Sequence, residues 1–110
     1  MTDSLDALKA EFFRALAHPA RIRILELLVT GDRSVTALLP AVGVEASNLS
    51  QQLGVLRRAG IVSARRHGNS VTYSMGSPHI AELLAVARAA LSGLVDDQVD
   101  ALERSAAEKS

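Results

Sequence analysis

The chain has 110 residues, a formal net charge of zero and 48% hydrophobic residues, which fits one globular domain covering residues 1–110. It contains no cysteine, so this chain cannot form a disulfide, a thiolate nucleophile or a cysteine-based metal site. No uninterrupted apolar run reaches the roughly 18–20 residues that span a bilayer, and the acidic N-terminal residues do not resemble a secretory signal. We therefore expect a cytoplasmic protein that has no membrane partner.

The charged residues are segregated along the chain. Residues 1–45 and 77–110 each carry more acidic than basic residues. Residues 46–76 contain no carboxylate and four basic residues, namely Arg57, Arg58, Arg65 and Arg66. A locally basic segment attracts polyanions, which favours nucleic acid as the partner, with a chance cluster as the alternative.

Two helices are predicted first. Residues 4–17 repeat apolar side chains at helical spacing, namely Leu5, Leu8, Phe12 and Leu16. His18 ends this helix because the residue before a proline avoids the helical region, and Pro19 suits the first turn of the next helix. The second helix covers residues 19–29 and is followed by a turn.

A helix-turn-helix is predicted over residues 34–59. Ser34 caps a short helix that runs to about residue 42, and Pro40 should bend or shorten it. Gly43 separates this helix from one that begins near residues 45–47 and runs to residue 59. The buried stripe of that last helix consists of Leu49, Leu53 and Leu56.

The pattern then changes from helix to strand. Residues 61–66 and 70–75 are rich in β-branched side chains, and His67-Gly68-Asn69 between them indicates a β-hairpin, here the wing over residues 61–75. A final helix covers about residues 78–104, and residues 105–110 are expected to be disordered. The chain is therefore mainly α with a small β-hairpin, in the order α-α-α-α-β-β-α.

The fourth helix carries the candidate functional residues. At 100° per residue, Ser47, Gln51 and Arg58 lie opposite its buried leucines. Glutamine and serine suit base edges in a major groove, whereas an arginine at the helix end suits a phosphate. The alternative is a solvated polar face. Together with the basic hairpin, the pattern predicts DNA contacts from Ser47, Asn48, Ser50, Gln51, Arg57, Arg58, Arg65, Arg66, His67 and Asn69.

Three stretches of the sequence are similar to the ArsR/SmtB family of winged helix-turn-helix repressors. They are FFRALAHPARIRILELL (12–28), ASNLSQQLGVLRRAGIVSARRHGNSVTY (46–73) and the long final helix. The resemblance implies a homodimer joined through the first and last helices (residues 4–29 and 78–104). It also implies that the helix containing Ser47 enters the major groove, and that an effector usually releases the DNA.

Homodimerisation also follows from the final helix itself. Its apolar stripe is long, and the chain offers no obvious second layer to cover it, so a partner helix is the simplest cover. Packing on the protomer's own first helix is an alternative that is compatible with dimerisation. Gly93 in this helix is either a site of close helix approach or a tolerated defect. The predicted interface residues are Leu5, Leu8, Phe12, Leu84, Leu91 and Leu94.

Metal binding is the least supported of the predicted properties. Where many members of the resembled family carry thiolates, this chain has Ser34 to Pro40 and no ligand, and position 54, often a lysine in relatives, is Gly54. His18 is expected at a helix boundary and His67 in the wing. His79 is a weak candidate for nickel or zinc, together with carboxylates near the end of a partner's last helix, and a solvated histidine is the alternative. No cofactor is certain.

The sequence predicts a sequence-specific transcriptional regulator, a repressor that binds a palindromic operator of double-stranded DNA as a homodimer. One alternative is a nickel- or zinc-responsive sensor whose effector alters DNA affinity. A second alternative is a protein-interaction regulator that acts with an accessory partner. An enzyme is not expected, because the chain has neither a phosphate-binding glycine loop nor a Gly-x-Ser-x-Gly elbow.

Overall fold

The computed structural model describes residues 3–108. In this part of the chain, five helices and three short strands follow one another: α1 (Asp3–Leu16), α2 (Pro19–Val29), β1 (Arg33–Ser34), α3 (Val35–Val42), α4 (Ala46–Arg58), β2 (Val62–His67), β3 (Ser70–Met75) and α5 (Pro78–Glu108). The mainly helical winged helix-turn-helix predicted from the sequence is confirmed.

Capping side chains fix the helix boundaries that the sequence predicted. His18 has an extended backbone, and its Nδ1 accepts a hydrogen bond of 3.1 Å from the Ala20 N–H, which confirms its role at a helix boundary. Ser34 Oγ likewise accepts from the Ala37 N–H at 3.1 Å and starts α3. Gly43 ends α3 in the left-handed conformation, at a φ of 77°. Its N–H donates to the Leu39 carbonyl.

The hydrophobic core lies between α2, α3, α4 and the base of the wing. Its fully buried side chains are Ile24, Leu25, Leu38, Leu49, Leu53, Leu56 and Ile61. Leu16 of α1 and Ile80 and Leu84 of α5 extend this core at its margins. The three leucines of α4 are buried as predicted, and they hold the opposite face of that helix toward solvent.

The sheet has one strand more than the sequence predicted. β3 lies in the middle of the order β1-β3-β2, and both of its neighbours are antiparallel to it. β1 consists of Arg33 and Ser34, which pair with Tyr73 and Thr72. Two residues are too few to show strand periodicity, so the sequence predicts only the helix cap at Ser34.

The base of the wing is closed by a tight backbone contact. The Gly76 N–H, directly after β3, donates to the Ile61 carbonyl at 2.8 Å. A Cβ at position 76 would lie 2.6 Å from the Gly60 carbonyl oxygen, closer than real Cβ atoms come to other atoms. Glycine is therefore required for this approach.

The end of the chain departs from the prediction of disorder over residues 105–110. α5 continues to Glu108 without interruption, so residues 105–108 are helical. The prediction was wrong because this stretch contains no glycine or proline, and Ala106 and Ala107 are strong helix formers that prolong an existing helix at little cost. Residues 109 and 110 lie outside the described part of the chain.

Candidate nucleic-acid interface

The exposed face of α4 is the centre of the candidate site. Leu49, Leu53 and Leu56 anchor this helix in the core, and each is at most 1% exposed. On the opposite side, Ser47, Ser50 and Gln51 are exposed, as are Arg57 and Arg58 at the C-terminal end. The structure therefore presents short polar side chains at the N-terminal half of the helix and guanidinium groups at its end, the distribution that suits base edges and phosphates respectively.

Asn48 differs from the other polar residues predicted on this face. It is half-buried, and its Oδ1 accepts a hydrogen bond of 2.9 Å from Gln52 Nε2. Gln52 is itself buried, and its Oε1 accepts from Arg21 Nε of α2 at 2.8 Å. Gln52 and Arg21 were not among the predicted site residues, since only their contact across two helices reveals the connection.

The wing carries the remaining predicted DNA contacts. Arg65, Arg66 and His67 on β2 and Asn69 in the turn are all exposed. Because successive residues of a strand point to opposite faces, Arg65 and Arg66 project from opposite sides of the hairpin. Arg65 shares its side with His67, and its Nε donates to His67 Nε2 at 2.8 Å. The two arginines therefore meet different parts of any bound polyanion.

The tip of the wing is a two-residue turn. His67 pairs with Ser70, and Gly68 takes a φ of 59° while Asn69 does not have a positive φ. A positive φ at the first central residue alone is the arrangement of a type II′ turn, which matches the twist of a hairpin. The turn projects Asn69 at the far end of the wing, away from the core.

The predicted dimer residues fall into two groups. Leu5 and Leu8 on α1 and Leu91 and Leu94 on α5 are exposed, by 58% to 68% of their surface. Leu84 does not belong with them, because it is only 7% exposed in the core of its own protomer. The first two turns of α5 pack against the body of the protomer, and the unpartnered stripe begins later in the helix.

Aromatic residues of α1 extend this apolar surface. Phe12, one of the predicted interface residues, is half-buried and packs against the core. Phe13 is 56% exposed and meets Phe12 edge to face, with 5.6 Å between the ring centroids. Phe13 is not among the predicted interface residues, since it lies beside the helical stripe and not within it.

The metal candidate His79 lies in the first turn of α5. Its side chain is exposed, and Nδ1 lies 3.4 Å from Glu82 Oε2. Within residues 3–108 of a single protomer, no three His, Asp or Glu side chains come together as a group that could hold a metal ion. His79 therefore offers an exposed imidazole with one carboxylate beside it, fewer ligands than a stable transition-metal site needs.

One described helix, α5, is long and apolar enough to cross a membrane by length and composition alone. Glu82 and Arg88 lie in its apolar half, and ionised groups at that depth of a bilayer are costly. Arg88 Nη2 instead makes an ion pair of 3.0 Å with Glu26 Oε2 of α2, which ties this half of α5 to the body of the domain.

Comparison with known proteins decides the family. A family model described as "Bacterial regulatory protein, arsR family" matches residues 18–64. An HTH-type transcriptional regulator of Mycobacterium tuberculosis, Rv0081, is 65% identical over 93% of this chain and 90% of its own length. This chain belongs to the arsR family. Membership of this family confirms that the chain is a DNA-binding transcriptional regulator and not an enzyme.

Solved structures of this family share the fold. The crystal structure of Rv0081 matches with a TM-score of 0.81 and 68% identity, over 86% of this chain and 96% of that chain. A homodimeric winged helix-turn-helix DNA-binding domain from Mycobacterium bovis matches with a TM-score of 0.78 and 30% identity, over 87% and 89%. Winged helix-turn-helix regulators of this family bind DNA and form homodimers.

A named repressor is also similar to this chain. A mercury resistance operon repressor of Streptomyces lividans is 39% identical over 72% of this chain and 63% of its own length. The matched part of that protein is therefore less than two thirds of it.

Proposed function

We propose that this chain represses transcription as a homodimer that inserts two copies of α4 into successive major grooves of a palindromic operator. The observation that carries this proposal is the division of α4 into a fully buried leucine face and an exposed face of Ser47, Ser50 and Gln51. A helix anchored this firmly presents its polar face in a fixed orientation, which base recognition requires. A cytoplasmic location is part of this proposal, since a DNA-binding regulator acts where the DNA is.

The surrounding charge supports binding to a duplex. Residues 46–76 carry four exposed arginines and no carboxylate, so this surface is attractive to phosphates over its whole extent. Arg57 and Arg58 lie at the end of the recognition helix, and Arg65 and Arg66 lie on the two faces of the wing. These contacts supply affinity for any sequence, whereas the serines and Gln51 supply discrimination.

The apolar stripe of α5 supports the homodimer. Leu91, Leu94, Val95, Val99 and Leu102 are all about half exposed or more. Asp96, Asp97 and Asp100 share this helix, so its second half is too charged for a bilayer and suits a second protein helix in water. A two-fold protein requires a two-fold site, with half-sites about one helical turn of DNA apart.

The test begins with selection of bound sequences from a random duplex pool, followed by titration of the selected operator. Gln51→Ala should weaken operator binding by about 1–3 kcal/mol and change nonspecific binding little. Arg104→Ala, which removes an exposed side chain on the face of α5 opposite Leu91 and Leu102, is the control and should leave both unchanged. An equal loss on every sequence would contradict a base-reading role for Gln51.

The wing is tested through the dependence of binding on salt. Replacing Arg65 and Arg66 by Ala should weaken binding to every duplex and flatten the salt dependence, whose logarithmic slope is about −0.9 for each neutralised phosphate. Arg104→Ala, which removes an exposed arginine of α5, should keep the slope. An unchanged slope in the double variant would show that Arg65 and Arg66 of the wing do not contact phosphates.

Repression itself is tested in cells that carry the selected operator between a promoter and a reporter gene. Expression of the chain should lower reporter output, and the Gln51→Ala variant should restore it. Activation of the reporter would contradict repression while leaving DNA binding intact.

The metal-sensing and accessory-partner hypotheses remain predictions. The chain has no cysteine, so the mercury response named for its Streptomyces lividans relative does not transfer to it through thiolate ligands. The metal-sensing hypothesis is tested by adding nickel, zinc or cobalt to the complex with a labelled operator and measuring whether the affinity for DNA changes. A response that survives His79→Ala would exclude that residue as the sensor.

A further inference from the structure

Three polar side chains connect α2 to the recognition helix. Arg21 Nε lies 2.8 Å from Gln52 Oε1, and Gln52 Nε2 lies 2.9 Å from Asn48 Oδ1. Gln52 is 6% exposed, and no other polar or charged side chain among residues 4–108 is buried to this degree. A buried amide keeps both of its partners in place, because a lost hydrogen bond there leaves an unsatisfied group away from water.

Arg21, the first residue of this connection, is held in place by α1. Arg21 Nη1 donates to the carbonyls of Arg14 and Ala15 in the last turn of α1, each at 3.1 Å. The Arg14 carbonyl also accepts from the Ala17 N–H at 3.1 Å, so the guanidinium adds a second donor there and caps the last turn of α1. Arg21 thus links three helices: the end of α1 through its Nη1, the first turn of α2 through its own backbone, and the middle of α4 through Gln52.

The chemistry of the guanidinium determines the orientation of both amides. A guanidinium can only donate, so the Gln52 side chain must turn its oxygen toward Arg21. The Gln52 NH₂ group then faces Asn48, and Asn48 must turn its own oxygen inward to accept. The Asn48 NH₂ group is left on the outer side, where it makes no further hydrogen bond within the described residues.

We propose that Arg21, acting through Gln52, holds Asn48 as an obligate hydrogen-bond donor toward DNA, so that position 48 selects a base with an acceptor on its major-groove edge. Guanine offers N7 and O6, thymine offers O4 and adenine offers N7. This inference rests on the proposed insertion of α4 into the major groove. Asn48 lies in the first turn of α4, the part of a recognition helix that contacts base edges.

Gln52→Glu is the decisive variant, because it keeps the size of the side chain and its acceptor toward Arg21 but removes the donor toward Asn48. Asn48 should then turn its NH₂ group inward to the new carboxylate and present its oxygen to the DNA. The preferred base at one position of each half-site should shift from guanine or thymine, which offer acceptors only, to cytosine, which offers only the N4 donor. Adenine offers both N7 and N6 and does not distinguish the two states. The expected change in relative affinity is about tenfold at that position.

Three further variants separate this reversal from general damage. Asn48→Ala should relax the preference at the same position. Arg21→Met should also relax it, whereas Arg21→Lys, which retains a donor for Gln52, should preserve it. The thermal unfolding midpoint of each variant identifies those that are folded, and the readout is the base preference and not the total affinity.

The measurement is selection from a random duplex pool with each folded variant, scored position by position. An unchanged preference in Gln52→Glu and Asn48→Ala would overturn the proposal while leaving operator binding by the wild-type chain established. A uniform loss of affinity at all positions would overturn it as well, since Asn48 would then meet a phosphate. A wild-type chain that selects no sequence would overturn the proposed function, and the orientation of Asn48 toward a base would fall with it.

Discussion

Two regions of this molecule handle their apolar residues in opposite ways. The DNA-binding body, residues 18–75, closes a core within one protomer, and leucines of α2, α3 and α4 are fully buried in it. The arm, residues 85–108 of α5, leaves every residue exposed, including Leu91 and Leu102. The body is stabilised by its own contacts, whereas the arm would be covered by the second subunit of the proposed homodimer. The two regions therefore answer differently to mutation and to protein concentration.

The largest effect is expected in the body. Leu53 of α4 is 1% exposed, so Leu53→Ala removes buried contacts and leaves a cavity, at a cost of about 2–5 kcal/mol in the free energy of unfolding. Urea unfolding followed by circular dichroism measures this loss. A cost below 1 kcal/mol would mean that the core of the body is less tightly packed than the structure shows.

A substitution in the arm should weaken the association of two subunits and leave the folding of the body unchanged. Leu91→Ala should weaken the dimer by about 1–2 kcal/mol for each subunit, because a half-exposed leucine loses the surface that a partner would cover. Sedimentation equilibrium over a range of concentrations measures this change. Leu53→Ala, compared at a temperature where it is folded, is the control that separates the two regions. A dimer of unchanged strength would place the interface elsewhere.

A substitution at Gly93 tests which face of α5 forms the proposed interface. A Cβ at this position meets no atom of the protomer within 4 Å, and at 100° per residue Gly93 lies on the side of α5 opposite Leu91 and Leu102. Gly93→Ala should therefore stabilise the helix by about 1 kcal/mol and leave the dimer intact. Thermal unfolding measures the change in stability, and sedimentation equilibrium measures the strength of the dimer. A weaker dimer would instead place this face of α5 against the partner.

The smallest effect is expected where the arm meets the body. Arg88 pairs with Glu26 at 3.0 Å, but its side chain is 74% exposed, so water and salt screen the pair. Arg88→Ala should lower the free energy of unfolding by less than about 1 kcal/mol, and a double-mutant cycle with Glu26→Ala isolates the pair. A larger coupling would show that the pair is better shielded from water than its exposure indicates.

Much of the fold was predictable because its signals are local. Pro19 after His18 and the serine before α3 mark helix starts, and the leucine period of α4 sets which side of that helix is buried. The change to β-branched residues and the Gly68 turn identify the wing. Each of these features acts within a few residues, so a sequence pattern is enough to recognise it.

Apart from the disorder predicted over residues 105–110, the errors and omissions arise where distant segments meet. β1 exists only because Arg33 and Ser34 reach the edge of β3, and no pattern of two residues announces that pairing. Leu84 belongs to the same stripe as Leu91, but only Leu84 is buried by contact with the rest of the protomer. Gln52 is not among the predicted site residues, because its contact with Arg21 of α2 joins two helices that are distant in sequence.

The close approach of Gly76 to the Gly60 and Ile61 carbonyls restricts how the length of the wing can vary. Residues added between His67 and Ser70 would lengthen the tip and leave this junction intact. An insertion beside Gly60 or Gly76 would instead separate the Gly76 N–H from its acceptor and displace the first turn of α5. Changes of length at the distal turn therefore alter the proposed contact of the hairpin with a duplex without disturbing subunit pairing.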